Sequence, residues 1–211
     1  MNNFLAIDQG TTSSRAIIFS PNHEPIRDSQ KEYALSYPND GWVEAEPSDI
    51  LKTVKETLEN VIQQSSEIIS SCGITNQRET TIVWSVETGE PIYPAIVWQD
   101  RRTHELCKKL KDNGHEEMVR AKTGLVIDPY FSATKIKWIL DNVDGARKDA
   151  EAGKLRFGTV DSFLVNKLSK EGLHLTDVTN ASRTMLFNIN SMQWDEDLLN
   201  LFDIPRSMLP E

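Results

Sequence analysis

Two short polar segments of this sequence contain side chains that could bind an anion or a small hydroxylated molecule. The first, residues 8–13 (Asp-Gln-Gly-Thr-Thr-Ser), separates the apolar run 4–7 from a second run at 15–19. This order predicts a strand, a polar turn and a strand, and the N–H groups and hydroxyls of such a hairpin can point at a phosphate. A P-loop is excluded, because there is no Gly-Lys-Ser/Thr and a strand follows. A plain hydrogen-bonded turn remains as the alternative, since Asp, Gly and Thr are ordinary turn residues.

The second polar segment, residues 76–79 (Asn-Gln-Arg-Glu), lies between two predicted strands. A small polyol needs groups that donate to its oxygens and groups that accept from its hydroxyls. The Arg78 guanidinium and the Glu79 carboxylate provide both. The alternative is a surface ion pair between these neighbours, which is common and contributes little to stability.

Two aromatic residues follow that could line the same site. Trp98 is the last residue of a further predicted strand and the first residue of the segment 98–102 (Trp-Gln-Asp-Arg-Arg). Its ring could pack against the carbon side of a polyol. Tyr130 stands at the entry to a predicted helix, where its hydroxyl could reach a ligand. The simpler alternatives are a core tryptophan and a packing residue at a helix start.

The elements that must position these side chains mix strands and helices. Apolar residues recur at helical spacing after Pro47, which predicts an amphipathic helix that packs on a sheet. We also expect Asp161 and Asp195 to be helix N-caps. The other predicted strands are 68–74, 80–84 and 92–98, and the other predicted helices are 102–111, 132–142, 162–168 and 194–201. The pattern favours one α/β domain with a helical insertion after the first sheet elements.

Composition limits the possible partners. The 211 residues have a net charge of -9 and 38% apolar content, enough for a hydrophobic core. An acidic chain does not favour binding to nucleic acid, and no apolar run is long enough to cross a bilayer. Cys72 and Cys107 have neither zinc nor disulfide-scaffold spacing, and no secretory signal is evident. We therefore expect a cytoplasmic protein with no nucleic-acid partner and no membrane insertion.

Four blocks of the sequence occur in the order and spacing of the glycerol kinases, which belong to the FGGY carbohydrate kinases. They are residues 8–15, 73–80 and 98–102, and the block 177–187 (Asp-Val-Thr-Asn-Ala-Ser-Arg-Thr-Met-Leu-Phe). The chain resembles this family along essentially its whole length. The resemblance implies an α/β fold of the ribonuclease H-like, actin/hexokinase type, with a mixed sheet flanked by helices. It also implies ATP-dependent phosphorylation of glycerol to sn-glycerol 3-phosphate, with Mg²⁺, in an enzyme that is a homo-oligomer.

The resemblance also implies roles for individual residues. Asp8 would face the metal through water, and Gly10 would let the main chain approach the phosphates. The nucleotide phosphates would be contacted by Thr11, Thr12, Ser13 and Arg15. Glycerol would be contacted by Arg78, Glu79 and Tyr130, and Trp98 would line the pocket.

This chain departs from the family in two respects. Ser162-Phe163 stands where many members have Thr-Trp, which we interpret as a change in how the side chains pack at a helix start. The family's chains are also more than twice as long, and the missing part contains the catalytic aspartate, the second phosphate motif and the adenine pocket. We therefore interpret residues 1–211 as the amino-terminal kinase domain without the second ATPase domain. We expect no catalytic residue and no turnover in it. A related sugar kinase, or a short binding module without turnover, remains the alternative.

Overall fold

A computed structural model describes residues 3–63 and 68–211. The strands are β1 Asn3–Gln9, β2 Ser13–Phe19, β3 Pro25–Glu32, β4 Leu35–Ser36, β5 Glu44–Ala45, β6 Ile69–Asn76, β7 Ile82–Ser85, β8 Ala95–Ile96, β9 Leu155–Gly158, β10 Phe187–Asn188 and β11 Gln193–Trp194. The helices are α1 Pro47–Gln63, α2 His104–Asp112, α3 Glu116–Thr123, α4 Ser132–Asn142, α5 Ala146–Glu151, α6 Val160–Leu168, α7 Val178–Ala181 and α8 Glu196–Phe202, with a 3₁₀ turn at Arg206–Met208. The chain forms two compact units, the first from residues 1–35 and 45–77 and the second from 36–44 and 78–211.

The first unit is a mixed sheet with one helix against it. The strand order is β3-β2-β1-β6, in which β1 pairs antiparallel with β2 and parallel with β6. Alternate residues of β1 and β2 are buried, and Leu5, Ala16 and Ile18 pack with Val61 of α1. The periodic apolar face of α1 therefore covers this sheet, as the sequence predicts.

One strand of the first unit was missed by the sequence analysis. Strand β3 has the sequence Pro-Ile-Arg-Asp-Ser-Gln-Lys-Glu, and most of its side chains are exposed. It lacks the apolar alternation that identifies a half-buried strand. It forms because its main chain pairs antiparallel with β2 at the edge of the sheet.

The second unit is mostly helical around one large apolar core, which includes Ile136 and Ile139 of α4 and Phe157 of β9. Helix α4 has the predicted bounds, and Asp195 caps α8 by accepting hydrogen bonds from the N–H groups of Asp197 and Leu198. The N-cap prediction for Asp161 is wrong. Thr159 is the N-cap of α6, whereas Asp161 lies buried in the first turn and accepts a hydrogen bond from the Thr176 hydroxyl at 2.7 Å.

A buried ionic cluster lies beside this core. The Arg102 side chain is 0% exposed, and its Nη2 lies 2.7 Å from Glu44 Oε1 and 2.8 Å from Asp100 Oδ2. The guanidinium carbon lies 3.8 Å from the Trp42 ring centroid and 4.6 Å from that of Trp138. Burial by itself lowers the pKa of Arg102, but the bonds to Asp100 and Glu44 outweigh it and raise the pKa above its ordinary value. Arg102 is therefore a charged part of the core.

The described ranges 3–63 and 68–211 include no helix with the length and apolarity that crossing a bilayer requires.

Candidate functional site

The predicted phosphate turn is a tight hairpin in the first unit. Asp8 and Arg15 face each other in the register of β1 and β2, and the Gly10 N–H donates to the Ser13 carbonyl at 2.8 Å. A Cβ at Gly10 would lie only 3.3 Å from the Ser13 carbonyl oxygen. This close approach favours glycine at position 10.

The turn presents hydroxyl donors and one carboxylate acceptor. Asp8 and Thr12 are exposed, and the Thr12 hydroxyl bonds to none of the residues in the described part of the chain. Ser13 Oγ accepts a hydrogen bond from Gln30 Nε2 at 3.0 Å, which leaves the hydroxyl proton of Ser13 available to donate. Hydroxyl donors and a nearby carboxylate are suitable for an anion and its hydrated cation.

Arg15 is not an unpaired cation in this structure. Its Nη2 lies 2.9 Å from Asp28 Oδ2 on β3, and both side chains are nearly half exposed. An exposed pair of this kind contributes about 0 to 1 kcal/mol, so the exchange of Asp28 for a phosphate costs little.

The turn is supported from beneath by three residues that the sequence analysis did not assign to the site. Tyr33 Oη donates to the Gly10 carbonyl at 2.8 Å and accepts from Gln9 Nε2 at 2.9 Å and from Gln77 Nε2 at 2.8 Å. Gln77 also donates from its main chain to the Gln9 carbonyl at 2.7 Å. Burial raises the pKa of Tyr33, so the phenol stays a neutral donor. Gln77 lies in a recognised block, but nothing in the sequence links Tyr33 to the turn.

In the second unit, Glu79 is the centre of a strained turn. Its side chain is buried, its φ is 64°, and the Thr80 N–H donates to the Arg78 carbonyl at 2.8 Å. A hydrogen bond from the N–H of residue i+2 to the carbonyl of residue i, with a positive φ at the residue between them, defines the rarer form of γ-turn. Strain of this kind persists where the surroundings hold it, often at ligand sites.

The surface ion pair between Arg78 and Glu79 is not formed. Arg78 is exposed and has no ion pair within residues 3–63 and 68–211. Glu79 is 3% exposed, and its Oε1 accepts from Arg183 Nε at 2.6 Å. Arg183 lies in the recognised block 177–187, but the sequence analysis gave it no role. Within the described residues no hydrogen bond reaches Glu79 Oε2, so this oxygen can accept from a ligand hydroxyl.

The two aromatic residues of the predicted site, Trp98 and Tyr130, pack against each other. The rings of Trp98 and Tyr130 are 5.4 Å apart and tilted by 55°, and both side chains are half-buried. Trp98 is therefore not a fully buried core residue. The Arg183 guanidinium carbon lies 5.9 Å from the Tyr130 ring centroid and 4.9 Å from that of Phe131. Arg183 thus lies between the Glu79 carboxylate and the rings of Tyr130 and Phe131.

The structure offers no protein-only metal cage in the residues it describes, where no three His, Cys, Asp or Glu side chains are grouped to hold an ion. Asp8 is a single exposed carboxylate on the hairpin. This fits Mg²⁺, which usually keeps several waters and is held by one or two carboxylates together with substrate phosphates.

The family model and the curated relatives that match this chain point to the same protein family. Residues 3–211 match the N-terminal domain of the FGGY family of carbohydrate kinases. The chain is 59% identical over 210 residues to a glycerol kinase of Aliivibrio salmonicida, a match that covers 98% of this chain and 42% of the relative. It is 60% identical to a glycerol kinase of Paraburkholderia xenovorans with the same coverage. The chain therefore spans about two fifths of the length of these curated relatives.

Solved structures agree with this assignment. A Plasmodium falciparum glycerol kinase with ADP superposes with a TM-score of 0.96 at 35% identity, over 100% of this chain and 43% of that one. A ligand-bound xylulose kinase from Lactobacillus acidophilus superposes with a TM-score of 0.89 at 21% identity, over 100% of this chain and 42% of that one. The predicted ribonuclease H-like, actin/hexokinase-type α/β fold is confirmed.

Proposed function

Because the chain belongs to the FGGY family of carbohydrate kinases, we propose that it is the amino-terminal part of a glycerol kinase. The intact enzyme transfers the γ-phosphoryl group of ATP to glycerol and releases sn-glycerol 3-phosphate. The observation that supports this function best is the buried Glu79 carboxylate, one oxygen of which accepts from Arg183. The Arg183 guanidinium carbon lies 5.9 Å from the ring centroid of Tyr130, and the Tyr130 ring packs against that of Trp98.

These contacts support the proposed polyol site. Glu79 Oε2 accepts from a glycerol hydroxyl, and the exposed Arg78 guanidinium donates to a glycerol oxygen. Tyr130 contributes its phenol, and Trp98 packs against the carbon side of the ligand. Charge-assisted bonds to a small ligand fix its orientation, and positioning is a major part of phosphoryl-transfer catalysis.

The phosphate site is the hairpin of the first unit. Thr11, Thr12 and Ser13 donate to the nucleotide phosphates, Gly10 allows their close approach, and Arg15 exchanges Asp28 for a phosphate oxygen. Asp8 is the residue that would hold a hydrated Mg²⁺, through a water molecule. The bound ATP and Mg²⁺ supply the phosphoryl group and neutralise its charge during transfer.

Residues 1–211 form the amino-terminal kinase domain in this proposal, and the catalytic base and the adenine pocket lie in the rest of the protein. We also propose a cytoplasmic homo-oligomer. The two cysteines, exposed Cys72 and buried Cys107, are free thiols, which is consistent with a reducing compartment.

A direct experiment compares the 211-residue chain with the longer protein in an assay for ATP-dependent glycerol 3-phosphate formation. We expect turnover from the longer protein and none above a vector-only preparation from the short chain. Glycerol phosphorylation by the short chain would show that the chemistry is complete within it. No phosphorylation of glycerol by either, together with phosphorylation of a pentulose by the longer one, would favour a related sugar kinase.

The phosphate hairpin is tested by Thr11→Val in the longer protein. Valine keeps the β-branched shape but removes a hydroxyl donor, so KM for ATP should rise about tenfold while glycerol affinity stays nearly unchanged. Thr88→Val, in an exposed turn of the second unit, is the matched control and should leave both constants unchanged. Unaltered ATP kinetics together with weakened glycerol binding would show that Thr11 does not belong to the phosphate site.

A further inference from the structure

Lys135 is a lysine in the first turn of α4 whose side chain is 0% exposed. Its Nζ donates to the Tyr130 carbonyl at 2.5 Å and to the Glu79 carbonyl at 3.2 Å. Among residues 3–63 and 68–211, none of the ion pairs includes Lys135. The amino group is therefore held by two main-chain oxygens, and both belong to residues of the candidate polyol site.

The burial of the Lys135 amino group destabilises the folded chain. A buried ammonium loses its hydration, and the N-terminal end of a helix repels positive charge. Burial lowers the pKa of Lys135 to about 7, against the opposing attraction of the Asp100, Glu79 and Asp128 carboxylates. Burial also raises the pKa of Cys107 to about 11, so this neighbour is a neutral thiol near pH 7. An apolar side chain of similar length would fill the same space without this penalty.

The Glu79 carbonyl is the point on which several donors converge. Besides Lys135, the hydroxyls of Ser132 and Thr81 each donate to it at 3.2 Å. Because Glu79 has a positive φ, its peptide groups are held in an orientation that a non-glycine residue seldom adopts. These donors stabilise that orientation and with it the direction of the Glu79 side chain. The bond to the Tyr130 carbonyl fixes the second polyol residue to the same nitrogen.

We propose that Lys135 is a positioning residue of the polyol site, which clamps the main chains of Glu79 and Tyr130 so that their side chains meet the ligand in one geometry. The role in ligand affinity rests on the proposed glycerol site. The clamp itself is a property of the main chain and can be measured without a ligand.

The clamp should make two measured quantities depend on pH, the affinity for glycerol and the stability relative to a Lys135→Met variant. Below pH 7 the ammonium makes charge-assisted bonds to both carbonyls, and above pH 7 the neutral amine donates more weakly, so glycerol affinity should fall as pH rises through 7. Between pH 7 and about 10.4, the usual value for lysine, the unfolded chain binds the proton that the folded chain has lost. The stability of the wild type relative to a Lys135→Met variant should therefore rise with pH in that window.

The test uses Lys135→Met in the longer protein, with Lys137→Met as the matched control on the same helix. Lys137 pairs with Asp141 at 3.0 Å and contacts neither carbonyl. Without ligand, hydrogen exchange at residues 78–81 and 130–132 should accelerate in Lys135→Met only. The glycerol dissociation constant should rise about tenfold, with a smaller change in kcat, and its dependence on pH near 7 should disappear.

Unchanged exchange in both segments, or equal changes in Lys137→Met, would overturn the clamp. If the wild-type longer protein neither binds nor phosphorylates glycerol, the proposed function fails, and the exchange comparison still decides the clamp. If Lys135→Met does not fold, Ser132→Ala removes a neutral donor from the same carbonyl. It should accelerate exchange at residues 78–81 to a smaller extent, and no acceleration would count against the clamp.

Discussion

Glu79→Gln in the longer protein should lower kcat/KM for glycerol at least tenfold. Glutamine keeps the size of the side chain and one oxygen acceptor but removes the negative charge. Bonds to a charged group contribute about 1.5 to 3 kcal/mol each, and about 1.4 kcal/mol corresponds to one decade in rate. Because Glu79 Oε2 is the acceptor that the proposed site offers to glycerol, the loss should appear mainly with this substrate.

The Glu79→Gln substitution should also lower the stability of the protein. Glu79 is buried and its Oε1 accepts from Arg183 Nε at 2.6 Å, so the carboxylate also stabilises the folded chain. Glutamine can still accept from Arg183 through its oxygen, but as a neutral acceptor. We expect the free energy of unfolding to fall by about 1 kcal/mol.

Thermal unfolding and kcat/KM for glycerol, measured on the same preparations, separate the two effects. Glu87→Gln, in the exposed turn after β7, is the matched control and should change neither quantity. A large loss of stability with unchanged efficiency per folded molecule would make Glu79 a structural partner of Arg183 and nothing more.

Arg102→Met has the largest effect on stability that we predict, a loss of about 3 to 5 kcal/mol in the free energy of unfolding. Methionine can fill the space between the Trp42 and Trp138 rings, but it leaves Asp100 and Glu44 buried without their cation. Asp100 Oδ2 would still accept from the Val43 N–H at 2.6 Å, which does not compensate for the lost charge. Denaturant unfolding measures the change.

Arg101→Ala is the control for this substitution at the neighbouring position. Arg101 is 53% exposed and its pair with Asp128 is 3.2 Å long, so its removal should change the free energy of unfolding by no more than about 1 kcal/mol. Similar losses for both variants would mean that the buried cluster around Arg102 is not a determinant of stability.

The hairpin and the helices with clear periodicity could be predicted because local patterns specify them. The turn at residues 10–12 follows from polar residues between two apolar runs, and α1 follows from apolar residues at helical spacing after Pro47. Strand β3 could not be predicted in the same way, since the neighbouring strand β2 and not its own sequence determines its conformation.

The candidate site was predicted only in part for a similar reason. Arg78, Glu79, Trp98 and Tyr130 stand in recognisable segments, and their roles stay predictions. The partner of Glu79 is Arg183, 104 residues further along the chain, and no local pattern connects them. Lys135 resembles any other lysine of an amphipathic helix in the sequence, and only its burial among Glu79, Tyr130 and Ser132 distinguishes it.

The central claim is that this chain provides the polyol site of a glycerol kinase. The most direct measurement is kcat/KM of the longer protein with ATP for glycerol and, in parallel, for the pentulose xylulose. The proposed site predicts a preference for glycerol of at least tenfold, because Arg78 and Glu79 provide partners for the hydroxyls of glycerol and the proposal names none for the extra hydroxyls of a pentulose. An equal or higher efficiency with xylulose would contradict it.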